Sequence, residues 1–274
     1  ALRPGDRGDS GFVVVSTVAD DLDEQNLDNF DVVFLCNVKA LEPARVATLL
    51  AWVKKGGSVF ISVGDKVDAD AYSESMAPLL PRALKSVREV APGAPWSEKE
   101  ALAAQITRYE RAHPIFQVFA RGAPALERAR FWKTVLLGAP TAKDATYRTL
   151  AHFSDGTPAL VETSIDKGRV LLFTSSLDRD WTDFPILPGY LPFVQQAARY
   201  LGRLQRGDSD ASVMIGRPFP LYVTDETRRI EVIAPDGSKT VVVPENAPTR
   251  FTGTDALGFY RTMSFGKGQD SHGD

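Results

Sequence analysis

The stretch from Asp31 to Asp65 restricts the fold more than any other part of the chain. Asp31-Val32-Val33-Phe34-Leu35-Cys36 is a continuous apolar run, and Ser58-Val59-Phe60-Ile61-Ser62-Val63 is a second. Unbroken apolar runs of this length suit strands buried on both faces, as in a parallel sheet. A helix is predicted between them. Pro43 fits its first turn, and Glu42 sits at the positive end of its dipole. Val46, Leu49, Leu50 and Val53 repeat at helical spacing, Lys54 and Lys55 suit the last turn, and Gly56 supplies the stop. Strand, helix and strand with tight links make a βαβ unit with a right-handed crossover. With Phe12-Val13-Val14-Val15 read as an earlier strand, this is the front half of a doubly wound, flavodoxin-like α/β sheet. The acidic stretch Ala19–Asp28 between the first two runs is expected to be a loop or short helix.

Beyond this unit the signals are uneven. Asp68–Leu80 reads as a helix closed by Pro81. From Ala83 to Pro140 the periodicity weakens under Pro92, Pro95, Pro114, Pro124 and Pro140; Glu98–Tyr109 fits a helix or a strand pair, and Phe131–Leu137 a strand. Arg148–Phe153, Ala159–Ile165 and Arg169–Thr174 then form a meander of three antiparallel strands. Its turns are Ser154-Asp155-Gly156-Thr157-Pro158 and Asp166-Lys167-Gly168. Such a meander closes one edge of a mixed sheet. Leu191–Leu204 is a helix, and Arg206–Asp210 a linker. Short strands follow at Phe219–Val223, Ile230–Ile233, Lys239–Val243 and Phe259–Thr262, with a hairpin turn at Asp236-Gly237. They point to a small β-sandwich-like domain, read as cut short because such sandwiches use about seven strands. The expected division is a linker over 1–10, an α/β domain over 11–205, a small β domain over 211–265 and a disordered tail over 266–274.

Composition excludes several classes of function. A net charge of −3 with no Lys/Arg cluster argues against nucleic acid. The single cysteine, Cys36, excludes a disulfide framework and a multi-cysteine zinc site. His113, His152 and His272 share no metal-ligand spacing, so neither metal nor cofactor is expected. No apolar run approaches the roughly 20 residues that span a bilayer, and Ala1–Ser10 does not resemble a signal peptide. The chain reads as a soluble fragment of a longer protein. Arg7-Gly8-Asp9 is the adhesion tripeptide, a match too short to carry a function.

Candidate chemistry gathers after the strands. A nucleophile elbow needs a small residue on either side of the attacking group. Ser62-Val63-Gly64-Asp65 puts Ser62 too early and Val63, which cannot attack, at the centre. Cys36 has no neighbouring glycine and reads as a small core residue. The densest polar run is Ser175–Asp183. Within it Asp178, Arg179, Asp180, Trp181 and Asp183 are expected at the carboxyl end of the last meander strand, where α/β sheets build their sites. Ser62 and Asp65 share that edge. The three aspartates have oxygen ligands suited to a hard cation, but equally make turn caps.

The run Asp31–Leu35, the helix, Gly56-Gly57-Ser58-Val59-Phe60 and Gly64-Asp65 resemble the class I glutamine amidotransferase-like fold. More narrowly, the chain resembles the domain of that fold in bacterial membrane proteins of the aerotolerance (BatA) type, which accompany von Willebrand factor A domains. Phe153–Val161, Lys167–Phe173 and Leu177–Trp181 are similar to the same group. The resemblance implies a parent with transmembrane helices and a domain on the periplasmic side. Active amidotransferases carry a cysteine in the elbow and a downstream His-Glu pair; this chain has neither. The expectation is therefore a non-catalytic binding or scaffolding domain. Its partners would be proteins or other domains of the parent, and it would meet the membrane only through segments outside this chain. The alternatives are an unusual amidotransferase-like hydrolase using Cys36 or Ser62 with His113 or His152, and a metal- or carbohydrate-binding module using Asp178, Asp180 and Trp181.

Overall fold

The computed structural model describes residues 12, 14–119, 126–139, 147–202, 215, 216, 218–221, 227–244 and 249–266. The chain divides into two compact units, 1–206 and 207–274. The first is α/β and is built on a six-stranded mixed sheet.

The βαβ unit forms. β1 (Val32–Cys36) and β2 (Ser58–Ser62) are parallel in unbroken register, Val32 opposite Ser58 and Cys36 opposite Ser62. Between them α1 (Pro43–Lys55) has Pro43 in its first turn. It ends at Gly56, whose φ of 128° lets its N–H reach the Trp52 and Val53 carbonyls.

α2 (Ala69–Ser75) is shorter than the sequence predicts. Asp68 caps it, accepting from the Ala71 N–H at 2.8 Å. Pro78 ends it: its ring would clash with the carbonyl of residue 74, and it has no N–H for the ladder. Met76 and Leu79 are buried in a 3-10 turn instead. The weakly patterned region then yields β3 (Leu84–Glu89), α3 (Trp96–Leu102), β4 (Ile106–Tyr109) and β5 (Lys133–Leu137). β3 and β5 pair with each other outside the main sheet.

β6 (Tyr147–Phe153), β7 (Pro158–Ile165) and β8 (Gly168–Phe173) form the antiparallel meander. The order across the sheet is β1-β2-β8-β7-β6-β4, so β2 is parallel to both β1 and β8, and the pairs from β8 to β4 are antiparallel. α4 (Tyr190–Leu201) completes the unit.

Alternation along the strands separates two cores. Val59, Ile61, Val170 and Leu172 pack with Val46, Leu49, Trp52 and Val53 of α1. Phe60, Leu171 and Phe173 pack with Phe193, Val194 and Ala197 of α4. The sheet is thus covered on both faces, which is why β2 and β8 carry apolar residues throughout.

The run Phe12–Val15 was expected to be a strand, but its described residues join no ladder. Phe12 lies against Arg199 of α4, and Val15 is 54% exposed. An apolar run becomes a strand only where a neighbour offers it a ladder. The following 3-10 turns, Ala19–Glu24 and Leu27–Asn29, are tied to α1 by Arg45, which pairs with Asp20 and Asp23.

The second unit has a three-stranded sheet, β11-β10-β13, and a two-stranded one, β12-β9. The strands are β9 (Phe219–Pro220), β10 (Thr227–Ile233), β11 (Lys239–Val242), β12 (Arg250–Phe251) and β13 (Arg261–Gly266). The hairpin turn forms at Asp236-Gly237, with φ 84° at Gly237. The last strand starts at Arg261, two residues later than expected, because Phe259 is 85% exposed and offers the core nothing. Leu221, Ile230, Val232 and Phe251, drawn from both sheets, share one small core. The expectations for 1–10, Arg7-Gly8-Asp9, Arg206–Asp210, His272 and the tail after Gly266 fall outside the described residues. Among those residues no helix is long and apolar enough to cross a membrane.

Candidate functional site

β1, β2 and β8 are parallel, so their carboxyl ends share one edge, where open α/β sheets bind ligands. The loop after β2 is held by the loop after β1. Asn37, at a left-handed φ of 51°, accepts the Lys66 N–H on Oδ1 at 2.8 Å. Gly64 lies beneath that side chain; a Cβ there would come within 2.4 Å of Asn37 Cγ. Val63, the position an elbow nucleophile would take, is fully buried.

Cys36 ends β1 and is exposed. The atoms packed round its thiol desolvate it and raise its pKa; the facing Ser62 hydroxyl opposes this, and the Asp178 carboxylate adds to it. Ser62 is buried, and its Oγ has no hydrogen-bond partner among the described residues. Two tyrosines flank this end of the sheet. Tyr72 of α2 donates to the Val38 carbonyl and Tyr190 of α4 to the Leu177 carbonyl, at 2.7 and 2.8 Å. Burial raises both phenols, Tyr190 to about 12. Neither tyrosine was singled out in the sequence, where an isolated Tyr carries no signal.

The run 175–183 lies at this edge, and its polar atoms are engaged in holding the chain. Ser175 Oγ donates to the Lys133 carbonyl, and Asp178 Oδ1 accepts the Asp180 N–H in its own turn. The buried Trp181 donates through Nε1 to Asp65 Oδ1 at 2.8 Å, and its carbonyl accepts the Trp132 N–H. The Asp180 carbonyl accepts from Trp132 Nε1. Asp183 Oδ1 takes the Arg130 N–H at 2.7 Å, and Thr182 Oγ1 donates to the Arg130 carbonyl. Lys133 Nζ lies 3.6 Å from Asp65 and 3.8 Å from Glu89. Arg179 and the Asp180 side chain are exposed. The structure thus joins Asp65 to Trp181 and sets Ser62 opposite Cys36 in the β1–β2 register. It turns Asp178 and Asp183 to separate backbone donors, and among the described residues no three His, Cys, Asp or Glu could hold a metal ion.

The histidines lie elsewhere. His152 is on β6, four strands from Cys36, about 19 Å at ordinary strand spacing. His113 follows β4 and packs edge-on against Tyr200 of α4, ring centroids 4.5 Å apart. It belongs to a polar group that sequence reading did not anticipate. Tyr200 donates a short hydrogen bond to the buried Glu162 of β7. Arg169 lies 4.8 Å from the Tyr200 ring and 4.0 Å from Glu162. His113 Nδ1 accepts the Ile115 N–H, while Nε2 has no partner among the described residues. These residues are scattered between 113 and 200, and only the pairing of β7 with β8 and the docking of α4 assembles them.

A family model described as a domain of unknown function, DUF8816, matches residues 211–273. No curated protein matches the sequence. Among solved structures, a cytoplasmic protein from Salmonella typhimurium, STM3548, is similar with a TM-score of 0.50 at 16% identity, over 68% of this chain and 76% of that one. A second cytoplasmic protein from Salmonella typhimurium LT2, STM1381, gives 0.47 at 18% identity, over 63% and 72%. A β-galactosidase from Bacillus circulans sp. alkalophilus gives 0.44 at 10%, over 88% of this chain and 32% of that one. The first of these likenesses bears on the α/β fold alone.

Proposed function

We propose that the chain is a non-catalytic binding or scaffolding domain of a larger, membrane-anchored bacterial protein. In this reading it is a doubly wound, class I glutamine amidotransferase-like domain of the BatA-associated type. The small unit is its β-sandwich-like companion. Both would lie on the periplasmic side, with anchorage through segments outside these residues.

One observation carries the non-catalytic part of the reading: the groups that could attack and the groups that could take a proton stand in different parts of the sheet. A nucleophile needs its base within hydrogen-bond reach. Cys36 and Ser62 are at the carboxyl edge of β1 and β2, His152 is on β6 and His113 is packed on Tyr200. The thiol is also pushed towards its neutral form. Three acidic residues at the edge act as struts: Asp65 holds the Trp181 indole, Asp183 the Arg130 N–H, and Asp178 the Asp180 N–H of its own turn.

The test is to incubate the protein, Cys36→Ala and Ser62→Ala with glutamine and with p-nitrophenyl acetate. Ammonia and p-nitrophenolate should appear at the buffer rate in all three. Turnover that either substitution removes overturns the reading.

A further inference from the structure

The segment after β4 is folded round His113, which is buried against Tyr200 of α4. The His113 carbonyl accepts the N–H groups of Phe116 and Gln117, at 2.8 and 3.1 Å, and the Phe116 carbonyl takes the Phe119 N–H. Ile115, Phe116 and Phe119 are buried in the core on the α4 face of the sheet. Phe116 lies on the Tyr109 ring of β4, centroids 4.9 Å apart, and 6.4 Å from Phe193 of α4. Residues 113–119 thus cover one end of that core.

The imidazole fits this arrangement only while it is neutral. Nδ1 accepts the Ile115 N–H at 3.4 Å, so the single ring proton is on Nε2. A second proton has to go on Nδ1, where it meets the Ile115 N–H, donor against donor. Nothing around the ring offsets that loss. Nε2 has no acceptor among the described residues. The nearby carboxylates are already engaged: Glu162 of β7 takes the Tyr200 hydroxyl and lies 4.0 Å from Arg169 of β8, and Glu110 pairs with Arg148 of β6. Arg169 also stands 4.8 Å from the Tyr200 ring. On the segment's own side, Arg111 is exposed over the Tyr109 ring, whose hydroxyl donates to Glu127. Burial lowers the pKa of His113 to about 4, against the resistance of Glu110 and with the help of Arg148 and Arg169. In water the ring takes its proton near 6.5. Between those values an opened segment binds a proton that the closed one refuses, so acid favours opening.

We propose that residues 113–119 form an acid-opened flap, closed by neutral His113 and released when a proton displaces the Ile115 N–H from Nδ1. Opening uncovers the Tyr109 and Phe193 rings that Phe116 packs against, while β6, β7 and β8 stay paired. The flap lies away from the carboxyl edge of β1 and β2 and goes beyond the binding reading above.

Amide hydrogen exchange of the whole chain, followed by NMR from pH 7 to 4.5, tests it. After correction for the intrinsic pH dependence of exchange, the protection of Phe116, Gln117 and Phe119 should fall about tenfold per pH unit below about 6.5. The amides of β8, a strand paired on both sides, should stay at least about a hundredfold better protected throughout. The ring nitrogens of His113 should show the neutral Nε2–H tautomer at pH 7. His113→Phe keeps a ring on Tyr200 but takes up no proton, and its flap protection should not change with pH. Should that variant not fold, the wild-type slope and the tautomer still decide. Four results overturn the proposal: flap protection that is flat with pH, an Nδ1–H tautomer at pH 7, loss of protection in the flap and β8 together, or a slope that survives in His113→Phe and so belongs to Glu110 or Glu162.

Discussion

His113 is a buried histidine, packed against Tyr200. Burial lowers its pKa to about 4; Glu110 opposes the shift, and Arg148 and Arg169 reinforce it. In the unfolded chain the imidazole takes its proton near 6.5. Between about 6.5 and 4 the unfolded state therefore binds a proton that the folded state refuses. The contribution to stability is complete above 6.5 and is lost as the pH falls towards 4. A gap of that size corresponds to roughly 3 kcal/mol. Urea unfolding from pH 7.5 to 4.5 should show this slope in the wild type and a flatter one in His113→Phe, which keeps a ring against Tyr200. Equal slopes would mean that His113 titrates normally. The sequence offered no hint of this, because a histidine before a proline reads as a loop residue.

Among the elements, legibility followed local chemistry. α1 was readable at both ends, since Pro43, the two lysines and Gly56 act within a turn of themselves. The meander was readable because its turns are local: Asp155 Oδ1 takes the Thr157 N–H, and Gly156 adopts φ 84°. α2 was overrun because Pro78 was passed over. The segment 175–183 misled in a more instructive way. Three aspartates in six residues look like a cation site, but each carboxylate or carbonyl there has a backbone or indole donor in a different direction. Its actual use is to bind β5 and the loop after β2, with Trp181 as the central pin. Trp181→Ala should therefore destabilise by about 3–5 kcal/mol, as large buried aromatics do. Trp181→Phe, which loses the Asp65 bond and less volume, should cost distinctly less. Chemical denaturation measures both, and equal losses would put the whole effect on the Asp65 bond, which both substitutions remove, and none on buried volume.

For the molecule as a whole, the α/β character was visible in the apolar runs and the helix between them. The strand expected at Phe12–Val15 was a misreading, since its described residues join no ladder: pairing depends on a neighbour, and no single run contains that information. The order of the sheet has a kinetic consequence as well. β6, β7 and β8 are joined by tight turns, so their contacts close small loops, whereas β2 reaches β8 across more than a hundred residues. Loop-closure entropy puts the local hairpins early and the long-range parallel seam late. Leu160→Ala, in the meander, should then slow refolding, and Leu49→Ala, on the helix over the seam, should chiefly hasten unfolding. Stopped-flow chevrons separate the two limbs. A chain that acquires its seam last spends the longest part of its folding time with the β8 border of β2 bare, which makes synthesis at high concentration the moment at which it is most open to mispairing with its own kind.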